Sequence, residues 1–446
     1  MTTETSDAPP RGTRWYADLT PKHWRVLGGS YLGWLFDGYE AFALVIALPF
    51  ALRTLLTPEQ MQFAPFYGGV AIGITLLGWG LGGLAGGVLA DYFGRKRMML
   101  LSVLVYALLS GATAFSTSFE MLLALRFLTG IALGSEWSTG IALVAESWPD
   151  RARPKGLGFL QSAFGMGAFI AAAVWFVLTL TLPLGDESWR IMFIVGALPA
   201  LFVLYLRRAL EESERWLAAI RERRWTAVAG EVAAEGEKRP FTLKTVFQSA
   251  EARRRVWLAA LLSFTTTTGW WAGSSLLPGY TEQLAVAQGA MPGIWGPRMV
   301  LIYTAGGVLA YVISGFVADA IGRRKFLFLT YAGSLMTAGL TFALDWPIGL
   351  FMAVAFLNGM FTLGFAYSWM AIYPVELFTA SVRSSAASCI FNGARLIAWV
   401  FPIIAGTLIL NFGGVRNAAL VISTVYLFGL VVPWFLPETK GKPLPE

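Results

Sequence analysis

Long apolar runs separated by short polar breaks fill almost the whole of this 446-residue chain. Twelve runs can be counted. They lie at roughly 24–52, 65–90, 98–116, 119–146, 155–181 and 189–209 in the first half, and at 255–284, 296–320, 326–344, 347–374, 384–411 and 414–436 in the second. Each can cross a hydrocarbon core about 30 Å thick, which takes about 20 helical residues. Inside lipid only a helix satisfies its own backbone N–H and C=O groups over such a length. The pattern therefore predicts an all-α membrane protein with 12 transmembrane helices. It comprises an N-terminal segment 1–23, a six-helix bundle 24–209, a polar linker 210–254, a second six-helix bundle 255–436 and a tail 437–446.

Composition agrees with that pattern. Charged residues make up 14% of the chain against about 25% in a soluble domain, and the mean hydropathy is +0.60. The formal net charge of +7 is no nucleic-acid signal, because its placement has a topological reason. Of 34 Lys and Arg, 28 fall in the N-terminal segment, the even-to-odd loops and the tail. The positive-inside rule then puts both termini in the cytoplasm. The first 24 residues carry Pro9, Pro10, Arg11 and Arg14 and no apolar core, so no cleavable signal peptide is expected. The linker holds eight Glu and most of the basic residues of its loop, and Glu211 to Arg224 read as an amphipathic cytoplasmic helix. The single cysteine, Cys389, reads as a packed thiol, and His23 is the only histidine, so neither a disulfide nor a histidine metal cluster is expected. No run pairs a nucleophile with a base, which argues against an enzyme.

Two short patterns occur twice. Gly87-Val-Leu-Ala-Asp91-Tyr-Phe-Gly94-Arg95-Lys96 returns as Gly315-Phe-Val-Ala-Asp319-Ala-Ile-Gly322-Arg323-Arg324, an offset of 228. Glu146 and Arg153 return as Glu376 and Arg383, an offset of 230. The chain is thus two copies of one membrane unit, the usual basis of alternating access. The Gly-x-x-x-Asp-x-x-Gly-Arg-Lys/Arg loop resembles the signature of the major facilitator superfamily, and the resemblance covers nearly the whole chain. Arg126-x-x-x-Gly130-x-x-x-Gly134 looks like that superfamily's helix 4 motif. Glu212-Ser-Glu-Arg-Trp-Leu217 (without its usual leading Pro) and Pro437-Glu-Thr-Lys-Gly441 resemble segments of sugar porters and organic-ion transporters. Leu35-Phe-Asp37-Gly-Tyr-Glu40, Gly134-Ser-Glu136-Trp137 and Glu146-Ser-Trp-Pro149 are similar to the sialic-acid and aromatic-acid proton symporters, and Ala394-Arg395-Leu396 with Pro402 to the arginine segment of organic-anion carriers.

The charges divide into two sets. Asp91 with Arg95, Asp319 with Arg323, Glu146 with Arg153 and Glu376 with Arg383 sit at helix ends and read as pairs that latch one face of the bundle. Asp37, Glu40, Arg126, Glu136 and Arg395 fall inside apolar runs. A charge at mid-bilayer costs about 2.5–3.5 kcal/mol, so each should face a cavity or a partner. An acid on helix 1 facing Arg126 resembles proton-coupled sugar porters; Glu40 matches that position, Asp37 matches the organic-acid symporters, and the sequence does not separate them. A structural ion pair of Arg126 with Glu136 is the bland alternative. Arg395 has no acid within ten residues and is a natural bidentate partner for a carboxylate. Asn392, one turn earlier, could hydrogen-bond the same ligand, and Trp270, Trp271, Tyr367, Trp369, Trp34 and Trp137 are candidates to shape the pocket.

The leading expectation is a proton-coupled symporter of a small organic anion in a bacterial inner membrane. It uses no cofactor beyond the coupling proton, binds no nucleic acid, and works as a monomer by resemblance. A sugar porter is the first alternative, although Phe264-Thr-Thr-Thr-Thr-Gly-Trp-Trp271 lacks the Gln-Gln-x-x-Gly-x-Asn pattern of that group. Organic-cation efflux would suit the acids but not Arg395. A nutrient sensor on a transporter scaffold would be expected to add long cytoplasmic extensions, and this sequence stops ten residues after its last apolar run.

Overall fold

The computed structural model describes residues 14–181, 185–222, 226–228, 241–270, 276–291, 295–400, 412 and 414–445. Among them ten helices are long and apolar enough to cross a membrane. The first half is α1 (Pro21–Leu55), α2 (Ala64–Phe93), α3 (Arg95–Thr113), α4 (Phe119–Ser147), α5 (Arg153–Thr181) and α6, in two pieces, Trp189–Val195 and Pro199–Ala209. The second is α7 (Ala250–Thr268), α8 (Trp295–Ile321), α9 (Arg323–Ala343), α10 (Ile348–Asn358, a π-helical stretch Gly359–Phe365, then Ala366–Ile372), α11 (Arg383–Gly393, then Arg395–Ala398) and α12 (Val415–Ser423, running on to Leu427–Val431). The expected spans 255–284 and 384–411 run into residues 271–275 and 401–411, outside the described set, as do Trp271 and Pro402. Glu214–Arg221 is helical in the linker; Arg224 lies outside the described residues.

The repeated loops show why their glycines are there. Gly94 and Gly322 take φ of 98° and 89°, a left-handed conformation that costs glycine nothing. The turn lets α3 and α9 start at once, and in each case a distant carboxylate covers the start. Glu212 accepts from Arg95 N at 2.9 Å and Lys96 N at 3.2 Å, and Glu438 accepts from Arg323 N at 2.9 Å and Arg324 N at 3.1 Å. A Cβ on either glycine would strike that carboxylate. The linker and tail motifs are therefore matching N-terminal caps for the two copies.

Close approach also joins the halves, which meet chiefly as α5 on α8 and α2 on α11. Gly315, the first residue of the second repeat, lies against the Pro154 carbonyl; Gly87, its counterpart, lies against Ser384 and Ser388 of α11. Small residues let helix backbones touch where no hydrophobic force separates helix from lipid. Both ends of the described chain lie at the end of the bundle that carries the repeated basic loops. Trp148 Nε1 donates to the His23 carbonyl, and Arg383 Nη2 to the Pro445 carbonyl.

Candidate functional site

At the basic end, charged side chains sew the halves together. Asp91 Oδ2 accepts from Ser385 N at 2.9 Å and Ser385 Oγ at 2.6 Å, covering the start of α11 from the other half. Arg95 lies 3.1 Å from Asp91 and 3.2 Å from Glu146, and donates to the Ala380 carbonyl at 2.6 Å. In the second copy Asp319 meets Arg323 at 2.8 Å and Lys155 of α5, while Arg323 grips Glu376 through Nε at 2.9 Å and Nη2 at 2.7 Å.

The expected pairs of Glu146 with Arg153 and Glu376 with Arg383 do not form. Glu146 Oε1 instead accepts from Arg383 Nη1 at 2.8 Å, across the seam. Arg153 meets Asp150, three residues back, and feels Glu376 of the other half. In the first copy the turn 148–152 separates the two groups, and Glu146 reaches Arg383 across the seam, while Glu376 is taken by Arg323 of its own copy. Outside the membrane spans, Lys22 holds the Glu211 carboxyl below the usual range through a 2.8 Å bridge.

Deeper in the bundle the acids separate. Glu40 meets Arg126 at 2.5 Å and accepts from Ser110 Oγ at 2.7 Å. Arg126 also donates to Thr113 at 2.6 Å and Thr129 at 3.1 Å, over the Phe193 ring. Glu136 is no partner for it: ten residues along α4 is about 15 Å. Asp37 and Glu136 are each buried with both carboxylate oxygens unpaired.

Between the halves stands an aromatic cage. Trp34 of α1 contacts the rings of Trp79, Trp137, Phe164 and Phe391, and Trp137 stacks on Phe391 at 3.6 Å between centroids. Arg395 lies over Phe391 at 3.8 Å and Trp79 at 5.1 Å. Its Nη1 donates to the Phe391 carbonyl at 3.2 Å, its Nε is unpaired, and no carboxylate among the described residues pairs with it. Asn392 Nδ2 donates to Ser388 at 2.9 Å and leaves Oδ1 unpaired; the indole nitrogens of Trp34 and Trp79 are likewise unpaired. Tyr367 is within electrostatic reach of Arg395, and Trp270 stands edge-on to it at 6.1 Å. Trp369 is directed elsewhere, into the second half beside Thr266 at 3.5 Å.

Sequence reasoning missed Trp79, Phe164, Gln161 and Tyr106. Gln161 accepts from Trp137 Nε1 at 2.9 Å and donates to the Tyr367 carbonyl at 3.1 Å, so it spans the seam. An aromatic or amide within an apolar run carries no mark of which face it takes, although the glycines flanking Trp79 hint at close packing.

The fold of two six-helix bundles has known counterparts. The model of the "Sugar (and other) transporter" family matches residues 54–446. A probable 4-methylmuconolactone transporter of Cupriavidus pinatubonensis is 28% identical over 96% of this chain and 93% of its own. The sialic acid transporter NanX of Escherichia coli is 25% identical over 94% and 95%. Among solved structures, the proton:xylose symporter XylE bound to 6-bromo-6-deoxy-D-glucose superposes with a TM-score of 0.75 at 18% identity, covering 95% of this chain and 98% of that one. With the match running from the end of α1 to the tail, this chain belongs to the sugar (and other) transporter family of the major facilitator superfamily, a multi-pass membrane transporter.

Proposed function

We propose that the protein is a proton-coupled symporter of a small organic carboxylate, working by alternating access with both termini in the cytoplasm of a bacterial cell. The observation that carries this is Arg395: a buried guanidinium between the halves, bounded by aromatic faces, with no carboxylate of the described residues against it. Such a group needs an anion, and its planar fork matches a carboxylate. The Trp79 ring lies 5.1 Å from it, the indole nitrogens of Trp79 and of Trp34 in the same aromatic cage are unpaired, and one of the family's similar members is named for an acid. Tyr367, within electrostatic reach of Arg395, and Asn392, one turn before it, are the candidate ligand contacts, with Trp270 edge-on to Tyr367, while Trp369 lies beside Thr266 in the second half.

Coupling follows from charge. The buried acids of α1 and α4 carry negative charge that a proton removes, and the bound anion offsets Arg395. The loaded carrier then buries less net charge than either singly loaded form, and the bundles can rock. Asp91, Arg95, Glu146, Arg383 and their counterparts Asp319, Arg323, Glu376 and Arg153 act as the latch that parts when the basic end opens.

The test is uptake of labelled carboxylates, sugars and amines into proteoliposomes, with and without an inward proton gradient, by the wild type and Arg395→Ala. Gradient-driven uptake of a carboxylate, lost in the variant, is expected. Uptake of a sugar or amine instead, or carboxylate uptake indifferent to Arg395, overturns the reading.

A further inference from the structure

Asp37 and Glu136 are buried acids that the Glu40–Arg126 pair leaves without a role. They lie 0% and 1% exposed, and all four carboxylate oxygens lack a hydrogen-bond partner. They come from different helices and reach the same place. A Cβ on Gly33 would strike the Glu136 carboxylate, and Gly33 is one turn before Asp37 on the same face of α1. Only a glycine there lets the α4 acid come so close to the α1 backbone. Tyr106 of α3, wholly buried, has a hydroxyl with no partner, and the charges within its reach are Asp37 first, then Glu136, then Glu40.

The neighbouring charges leave few ways to neutralise this site. On α1 the nearest is Glu40, already held by Arg126 of α4 at 2.5 Å. On α3 the only titratable group beyond the basic end is Tyr106, and α2 has none between Tyr67 and Asp91. On α5 there is none after Lys155, and on α6 none between Arg190 and Tyr205. On α11, which also packs against α4, the titratable groups are Arg383, held by Glu146, and Cys389 and Arg395. Among the described residues neither acid is paired with a cation. Two carboxylates in one dry site cannot both stay ionised, and a buried charge without a partner is lost to protonation.

We propose that Asp37 and Glu136 form one shared proton-binding site, bridging α1 and α4 with the Tyr106 hydroxyl as its third member, separate from the Glu40–Arg126 ion pair. The site rests on the reading of the protein as a proton-coupled carrier and names where that proton sits. Glu40 is held by Arg126 and Ser110, and the proton occupies the acids that no cation pairs.

The test reads the acids themselves, in the purified full-length protein without substrate. Infrared spectroscopy follows the carbonyl stretch of buried carboxylic acids during a pH titration. With the double variant as the baseline, which keeps the other buried carboxyls, a shared site titrates in two macroscopic steps in the wild type and in one displaced step in Asp37→Asn and in Glu136→Gln. Tyr106→Phe shifts the steps without removing either. A single variant whose remaining step stays at its wild-type position makes the acids independent, and a double variant that titrates like wild type places the signal elsewhere; either result overturns the site. In proteoliposomes the double variant Asp37→Asn with Glu136→Gln is expected to lose all stimulation of carboxylate uptake by a proton gradient, and full stimulation in it refutes the site. Wild-type protein with no carboxylate counterflow refutes the transport reading instead, and the infrared result distinguishes the two failures.

Discussion

Glu146→Gln preserves shape at the basic seam and removes one negative charge from between two guanidinium groups. Glu146 Oε1 lies 3.2 Å from Arg95 and 2.8 Å from Arg383, with all three side chains fully buried. Arg95 keeps Asp91 at 3.1 Å. Arg383 keeps only the carbonyls of Val375 and Pro445 and becomes a buried charge without a counter-ion. Taking one partner from a buried pair costs about 3–5 kcal/mol. Because Arg383 belongs to the other half, that cost falls on the closed seam and disappears once parting lets water reach it. At about 1.4 kcal/mol per tenfold, the lower figure of about 3 kcal/mol shifts the closed-to-open ratio about 100-fold towards open. The assay is alkylation of a single cysteine at Ser314, in a Cys389→Ser background, by a permeant maleimide. Ser314 is fully buried on α8 where Gly158 of α5 lies against it, so it reacts only when the seam parts. Glu146→Gln should raise the rate towards 100-fold, while Asp345→Asn, which breaks a surface pair with Arg416, changes it by less than about fivefold. A Glu146→Gln rate within about fivefold of wild type, the range of a solvated pair, refutes the latch.

Three further outcomes are expected. Arg395→Lys keeps the charge but loses the planar fork, so the KM for the transported carboxylate should rise about tenfold; an unchanged KM removes Arg395 from the binding site. Gly87→Val forces a side chain onto Ser384 and Ser388 of α11. Overpacking costs about 1–3 kcal/mol and should speed labelling at Ser314 without unfolding either half, and an unchanged rate shows the α2–α11 contact is not part of the closed seam. For Glu438, burial pulls the carboxyl up, and the backbone N–H groups of Arg323, Lys440, Arg324 and Thr439 outweigh it and hold it below its usual 4.5. Its contribution to stability is then present above pH 4.5 and lost as the pH falls through the lower folded value. The Tm gap between wild type and Glu438→Gln should be widest near neutrality and close in acid, and a gap that widens on acidification refutes the cap.

The sequence alone determined the helices, their pairing into two copies and the position of the charged loops. Lipid forces a spanning segment to be largely apolar and helical, so twelve runs could be read one by one, and duplication at a fixed offset exposed the repeat. It also picked out Arg395, since an arginine far from any acid in an apolar run stands out without a structure. Tertiary structure alone decided which charge meets which. The repeat predicted Glu146 with Arg153, because seven residues is a short separation. In the folded chain Glu146 meets Arg95 and, in place of Arg153, Arg383, 237 positions away, brought there by the packing of the two bundles. Asp37 and Glu40 are three residues apart and look alike as a pair on one helix. The neighbouring helices separate them: Ser110 and Arg126 surround Glu40, while Gly33 admits Glu136 beside Asp37. A helix fixes the spacing of its side chains by local geometry, but what lies opposite each one depends on how the other helices dock, and that information is spread over the whole chain.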